Sequence, residues 1–75
     1  MRLSDLQQKE VVNMLDGKNL GRIIDAEINN EGQIQYFVVE QKKLLKKVFS
    51  SGSEIMITFK NIKKIGSDVI LVDYV

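Results

Sequence analysis

The chain has 75 residues, 44% of them hydrophobic, with no Cys and no His and a formal net charge of +1. That length supports one domain, 1–75, with a core near the lower size limit, and the absence of Cys and His removes disulfides, thiolate sites, the usual general base and the commonest metal ligand. No apolar run approaches the ~20 residues that span a bilayer, and Met1-Arg2-Leu3-Ser4-Asp5 lacks the apolar centre of a signal peptide, so a soluble cytoplasmic protein without a transmembrane segment is expected.

Leu3 to Lys9 reads as a short capped turn. Ser4 and Gln7 have capping-box spacing, and Leu3 and Leu6 stand three apart, placed to plug one end of a core. Glu10 to Leu15 reads as a first strand, closed by Asp16-Gly17, a strong turn signal. Asn19 to Ile28 is the second strand. Simple alternation puts Leu20, Ile24, Ala26 and Ile28 on one side, and Gly21, Ile23, Asp25 and Glu27 on the other. Gly21 inside a strand points to a bulge or a sharp bend. Asn29-Asn30-Glu31-Gly32 is a hairpin loop.

Gln33 to Glu40 is the third strand, with Ile34, Tyr36 and Val38 on one face and Phe37 and Val39 on the other. Apolar residues on both faces mark a strand between two layers, or one that offers its outer side to a partner. After Ser50-Ser51-Gly52-Ser53, Glu54 to Lys60 is the fourth strand, with Ile55, Ile57 and Phe59 inward and Met56 and Thr58 outward. Asn61 to Ile65 reads as a connector or a 3₁₀ turn. Gly66-Ser67-Asp68 makes a tight turn into Val69 to Val75, where Val69 and Leu71 are expected to join Ile57 and Phe59 inside. Five to six short antiparallel strands with regular turns and no long helix predict an all-β fold, a small, strongly bent barrel.

The charge is unevenly spread. Residues 1–40 carry four basic and seven acidic groups, residues 41–64 carry seven Lys and one Glu, and residues 65–75 carry two Asp. Within the basic third, Lys42-Lys43-Leu44-Leu45-Lys46-Lys47-Val48-Phe49 alternates in doublets. On a helix its apolar residues share one face and its Lys the other, a basic amphipathic pattern. One reading is a loop or helical turn that caps the barrel mouth with Leu45 and Phe49 while the Lys stay solvated. The other is partner binding through Lys42, Lys43, Leu44, Leu45, Lys46, Lys47 and Phe49. Phe37, Met56 and Tyr74 are the candidate oligomer contacts, in a chain small enough for dimerisation to help its core.

Met1-Arg2-Leu3-Ser4-Asp5-Leu6, the Asp16-Gly17 and Leu20-Gly21 pairs, and the run Lys63-Lys64-Ile65-Gly66-Ser67-Asp68-Val69-Ile70-Leu71-Val72 together resemble the PRC-barrel domain. Within it they are most similar to the short YlmC/YmxH-type sporulation proteins of spore-forming bacteria. The resemblance covers nearly the whole chain. It implies a β-barrel that works as a protein–protein interaction or assembly module, with no catalytic residue, metal or cofactor to carry over. Two departures stand out: Ile57-Thr58-Phe59 replaces an Ile-Pro-Trp, and the Lys/Leu segment at 42–49 replaces a Gly- and Phe-rich loop. The expectation is a non-catalytic module associated with sporulation, binding an unidentified protein and forming a homo-oligomer such as a dimer. The alternative is a small RNA-binding barrel using the Lys of 41–64. It has only Phe49 and Phe59 as stacking candidates in that window, and no Arg there. An enzyme has only Asp25, Glu27, Asp68 and Asp73 to draw on, and lone carboxylates on strands and turns are far more often solvent-facing than catalytic.

Overall fold

The computed structural model describes residues 1–41 and 54–74, and the Lys/Leu segment at 42–49 lies outside them. A short helix, α1 (Leu3–Gln7), precedes three strands: β1 (Glu10–Asn13), β2 (Asn19–Ile28) and β3 (Ile34–Glu40). Then come β4 (Glu54–Ile57), a 3₁₀ turn (Phe59–Asn61), β5 (Ile62–Ile65) and β6 (Val69–Val72). The strands form one six-stranded sheet in the order β4-β3-β2-β1-β6-β5.

Chain length alone requires this sheet to curl. Its two edge strands, β4 and β5, are consecutive, and only residues 58–61 separate Ile57 from Ile62. Five extended Cα steps reach about 17 Å, whereas the outer strands of a flat six-stranded sheet stand about 24 Å apart. The sheet therefore wraps around its own inner face into a small barrel. Its core is Val11, Leu20, Ile23, Phe37, Val39, Ile57, Ile70 and Val72, with Leu6, Ile55 and Tyr74 among the side chains packed against it.

Four of the five strand pairs are antiparallel, but β1 and β6 pair in parallel, Glu10 with Val69 through Asn13 with Val72. The expectation of purely antiparallel strands is corrected on this point. Tight hairpins can only make antiparallel neighbours; the parallel pair arises where the curl brings the chain's last strand beside its first.

Bulges set which residues point inward. On β2 the register against β1 skips Leu20, and the register against β3 skips Ile24. Each extra residue shifts the alternation by one. The inward residues of β2 are consequently Leu20, Ile23 and Ala26, three apart, while Ile24 and Ile28 are exposed. Simple alternation had placed Ile24 and Ile28 with Leu20, and Ile23 opposite them. Gly21 lies at the first of these irregularities, as expected, with φ of 121°. A Cβ there would come within 1.9 Å of the Glu40 carbonyl oxygen, so the backbones of β2 and β3 approach too closely for any side chain.

Three further expectations shift. Asp5, rather than a Ser4–Gln7 pair, caps α1 by accepting the Arg2 N–H at 2.9 Å, and Leu3 is exposed, leaving Leu6 to reach the core. The first strand stops at Asn13, short of Leu15. The Asn13 side chain, 5% exposed, turns the chain by accepting the Leu15 N–H at 3.1 Å. It also accepts the Tyr74 N–H at 3.2 Å and donates to the Tyr74 carbonyl at 2.7 Å, so β1 holds the chain just beyond β6. The fourth strand stops at Ile57, short of Lys60. The Asn61 side chain accepts from the Thr58 N–H and hydroxyl, both at 3.0 Å, and folds Phe59 into the 3₁₀ turn. Residues 62–65, expected as a connector, are then free to form β5.

Candidate interaction surface

The sheet's inner face is filled by the core, so any surface offered to another molecule lies on its outer face, its edges or its ends. Along β3 and β4 the alternation is regular. Phe37 faces Ile57 and Val39 faces Ile55 on the inner side, while Val38 faces Met56 and Glu40 faces Glu54 on the outer side. On the β2 side, Arg22 stands opposite Glu40, Asp25 opposite Val38 and Glu27 opposite Tyr36. Ile24, the bulged residue beside Asp25, is 40% exposed, and Met56 is 53% exposed. The outer face of β2–β3–β4 thus has an apolar centre of Ile24, Tyr36, Val38 and Met56.

Carboxylates surround that centre: Asp25 and Glu27 on β2, Glu40 at the end of β3 and Glu54 at the start of β4, all exposed. The cation on these three strands, Arg22, lies 3.6 Å from Glu10 of β1. Asp25 Oδ1 accepts the Ala26 N–H at 2.8 Å, which fixes its carboxylate beside the bulge.

The expected oligomer contacts separate. Met56 points outward. Phe37 is 2% exposed, sits among the core residues and meets Phe59 edge to face at 5.5 Å between ring centres, so it has no surface to offer a partner. Two-sided apolarity on β3 had made both faces candidates; Phe37 and Val39 turned inward, and Tyr36 and Val38 outward. Tyr74 is half-buried and tied through its backbone to Asn13 on β1, three strands from β4 in the sheet. Lys42, Lys43, Leu44, Leu45, Lys46, Lys47 and Phe49 lie outside the described residues.

Sequence reasoning missed Ile24 as an outward residue because the bulge is not written in the hydropathy pattern. It also assigned Phe59, Val69 and Leu71 to the interior. Phe59 is 57% exposed, and Ile70 and Val72, not Val69 and Leu71, are the buried residues of β6.

Three of the described Lys lie close together after β4. Lys60 is in the 3₁₀ turn and Lys63 and Lys64 are on β5, with Lys63 Nζ 3.4 Å from the Asp73 carboxylate. Asn61 first and Lys63 second hold the Asp73 carboxyl below its usual value. That direction keeps it ionised and is opposite to what a general acid needs. Asp68 and Ser67 border an open cleft with Met1, Asp5, Gln8 and Lys9, where the Lys9 ammonium donates to the Ser67 carbonyl at 2.6 Å. Among the described residues no three acidic side chains come together as a metal-binding group, and no helix is long and apolar enough to cross a membrane.

Comparison with known proteins gives one concordant result. The family model for the PRC-barrel domain matches residues 1–75. The chain is 42% identical over 71 residues to the "Probable sporulation protein YlmC" of Bacillus subtilis (strain 168), covering 93% of this chain and 88% of that relative. It is 38% identical over 76 residues to the "Uncharacterized protein YmxH" of the same organism, covering 97% and 88% respectively.

Proposed function

The chain belongs to the PRC-barrel domain family, and from that premise we propose that it is a non-catalytic protein-interaction module, cytoplasmic, serving assembly during sporulation. The sporulation assignment is taken from the name of one relative. The interaction role rests on one observation: the outer face of β2–β3–β4 holds Ile24, Val38 and Met56 side by side across three strands although the core is already complete without them. Single exposed apolar residues are ordinary on any surface, but a contiguous group ringed by charge is the pattern of a contact site.

The test is in-cell cross-linking of the tagged full chain in sporulating and vegetative cells, with light scattering of the purified protein. The expected result is a stoichiometric protein partner, or a second copy of the chain, held during sporulation. A chain that remains monomeric at high concentration and cross-links to nothing in stoichiometric amount removes the reading.

RNA binding is the weaker reading. It would use Lys60 and Lys64 beside the exposed Phe59, but the Phe59 ring packs perpendicular to Phe37 and Lys63 is paired with Asp73. One partly engaged aromatic is a poor stacking platform.

A further inference from the structure

We propose that Asp16–Gly17 is a self-modification site, an aspartate that isomerises to isoaspartate, and that the folded β1–β2 turn holds it closed.

Asp16–Gly17 is the only pair in the chain in which Asp or Asn precedes Gly. The reaction favours that pair for a steric reason. The Gly17 nitrogen must reach the Asp16 side-chain carbon Cγ, and glycine puts no Cβ in its path. With the Asp16 carboxyl protonated, the nitrogen bonds to Cγ, and the amide hydrogen and the carboxyl OH leave together as water. The product is a cyclic imide. Water then adds back at one of its carbonyl carbons. Breaking the bond from nitrogen to Cγ restores aspartate. Breaking the bond from nitrogen to the main-chain carbonyl carbon leaves the chain running through the side chain, one carbon longer. Water and protons are the only reagents, and both residues are exposed to them.

The turn withholds both reacting groups. The Gly17 N–H donates to the Asn13 carbonyl at 2.7 Å, and Asp16 Oδ1 accepts the Lys18 N–H at 2.9 Å. Attack removes the proton from the first hydrogen bond and turns the carboxyl out of the second, so both break before the imide closes. The Asn13 N–H donates to the Lys18 carbonyl at 2.9 Å and closes the same loop from its other side. Asn13 is itself held in place, because its side chain accepts the Leu15 and Tyr74 N–H groups. The turn opens only with the loss of several hydrogen bonds, and a reaction confined to the open form slows as that form becomes rarer. The extra main-chain carbon does not fit the ring that these bonds close. An isomerised chain therefore has a weaker β1–β2 junction, next to the parallel pair of β1 with β6.

The experiment incubates the purified full chain near neutral pH, folded in buffer and unfolded in guanidinium chloride. Trypsin then releases Glu10–Lys18, and liquid chromatography with mass spectrometry separates its aspartyl and isoaspartyl forms. A synthetic peptide of the same residues gives the unrestrained rate. The expected result is isoaspartate forming at least about tenfold more slowly in the folded chain than in denaturant, with the peptide matching the denatured chain. The Gly17 amide, although exposed, should exchange its hydrogen slowly in the folded chain, because exchange and attack need the same opening. Asn13→Ala removes the side-chain ties to Leu15 and Tyr74. If circular dichroism shows that variant folded, it should isomerise several-fold faster than wild type in buffer and at the same rate in denaturant. If it is unfolded, its rate in buffer should equal the denatured rate. Isomerised chain, once separated, should unfold at a lower urea concentration than unmodified chain.

Equal rates in buffer and denaturant, an unprotected Gly17 amide, or no isoaspartate in the free peptide overturns the proposal. So does a folded Asn13→Ala chain no faster than wild type, an unfolded one slower than the denatured chain, or isomerised chain with an unchanged urea midpoint.

Discussion

Replacing Gly21 by Ala should cost this protein most of its stability, and the size of the loss follows from two backbone strands. Gly21 has φ of 121°, outside even the left-handed helical region that other residues sometimes visit. Holding an L-residue there costs about 1–3 kcal/mol. The added Cβ would also stand 1.9 Å from the Glu40 carbonyl oxygen, 2.8 Å from its carbonyl carbon and 3.0 Å from the Gln41 Cα. All three are backbone atoms, so no side-chain rotation relieves the overlap. β2 and β3 must part by more than an ångström next to the Arg22–Glu40 pair. If two ladder hydrogen bonds are lost, about 1–3 kcal/mol goes with them. The sum, about 2–6 kcal/mol, compares with a total of about 4–11 kcal/mol for a domain of this length.

Gly17 and Gly32 provide the internal controls. Their φ values are 76° and 83°, and a Cβ at either meets nothing within 4 Å. Ala there should cost only the left-handed strain, about 1–2 kcal/mol. Urea denaturation followed by far-UV circular dichroism separates the cases. With a slope near 1 kcal/mol/M for so small a domain, Gly21→Ala should lower the midpoint by about 2 M or more, or abolish the folded baseline. A Gly21→Ala midpoint no lower than the Gly17→Ala midpoint would falsify the close approach of β2 and β3.

The remaining predictions concern the polar ties and the charge pattern. Asn13→Asp removes the amide donor to the Tyr74 carbonyl and sets a carboxylate against it; a loss of about 1–3 kcal/mol is expected at neutral pH, partly recovered in acid when the carboxyl can donate again. A loss that is the same at pH 7 and in acid contradicts the tie to Tyr74. Asn61 and Lys63 lower the folded pKa of Asp73 below its unfolded value, so its contribution is present above the unfolded value and is lost as pH falls through the folded one. Asp73→Asn should therefore reduce the drop in melting temperature between neutral pH and about pH 3, and an unchanged drop refutes the pairing. Single-stranded RNA should produce no mobility shift even at low salt; a shift that steepens with falling salt would instead favour the Lys60 and Lys64 side of the molecule.

Much of the fold was legible because short strands and glycine turns leave local signals. Asn19–Ile28 was read with its observed bounds, the Asp16-Gly17 and Asn29–Gly32 turns join strands where expected, and Gly66–Asp68 leads into the last strand. The facing of residues was less legible. Val69 to Val72 is apolar at every position, so nothing local tells which side is inward. The answer comes from the parallel pairing of Val11 with Ile70, a contact between residues 59 apart. On β2 the pattern is present, but two bulges convert a period of two into the spacing Leu20, Ile23, Ala26. Strand ends were misjudged wherever a side chain competes with the ladder for backbone N–H groups: Asn13 stops β1 and Asn61 stops β4.

The candidate site was half legible for the same reason. Met56 reads as outward from its neighbours Ile55 and Ile57, and β3 reads as apolar on both sides. Which side of β3 faces out is fixed by its partners, since Val38 shares a register position with Met56 and Phe37 with the buried Ile57. Exposure alone does not single out this face, because Met14 and Leu15 are as open as Met56. Those two follow a strand end in a turn. Asp25, Val38 and Met56 share one register row across three strands, and Ile24 is the bulged residue beside Asp25. An apolar group alone would serve any hydrophobic partner.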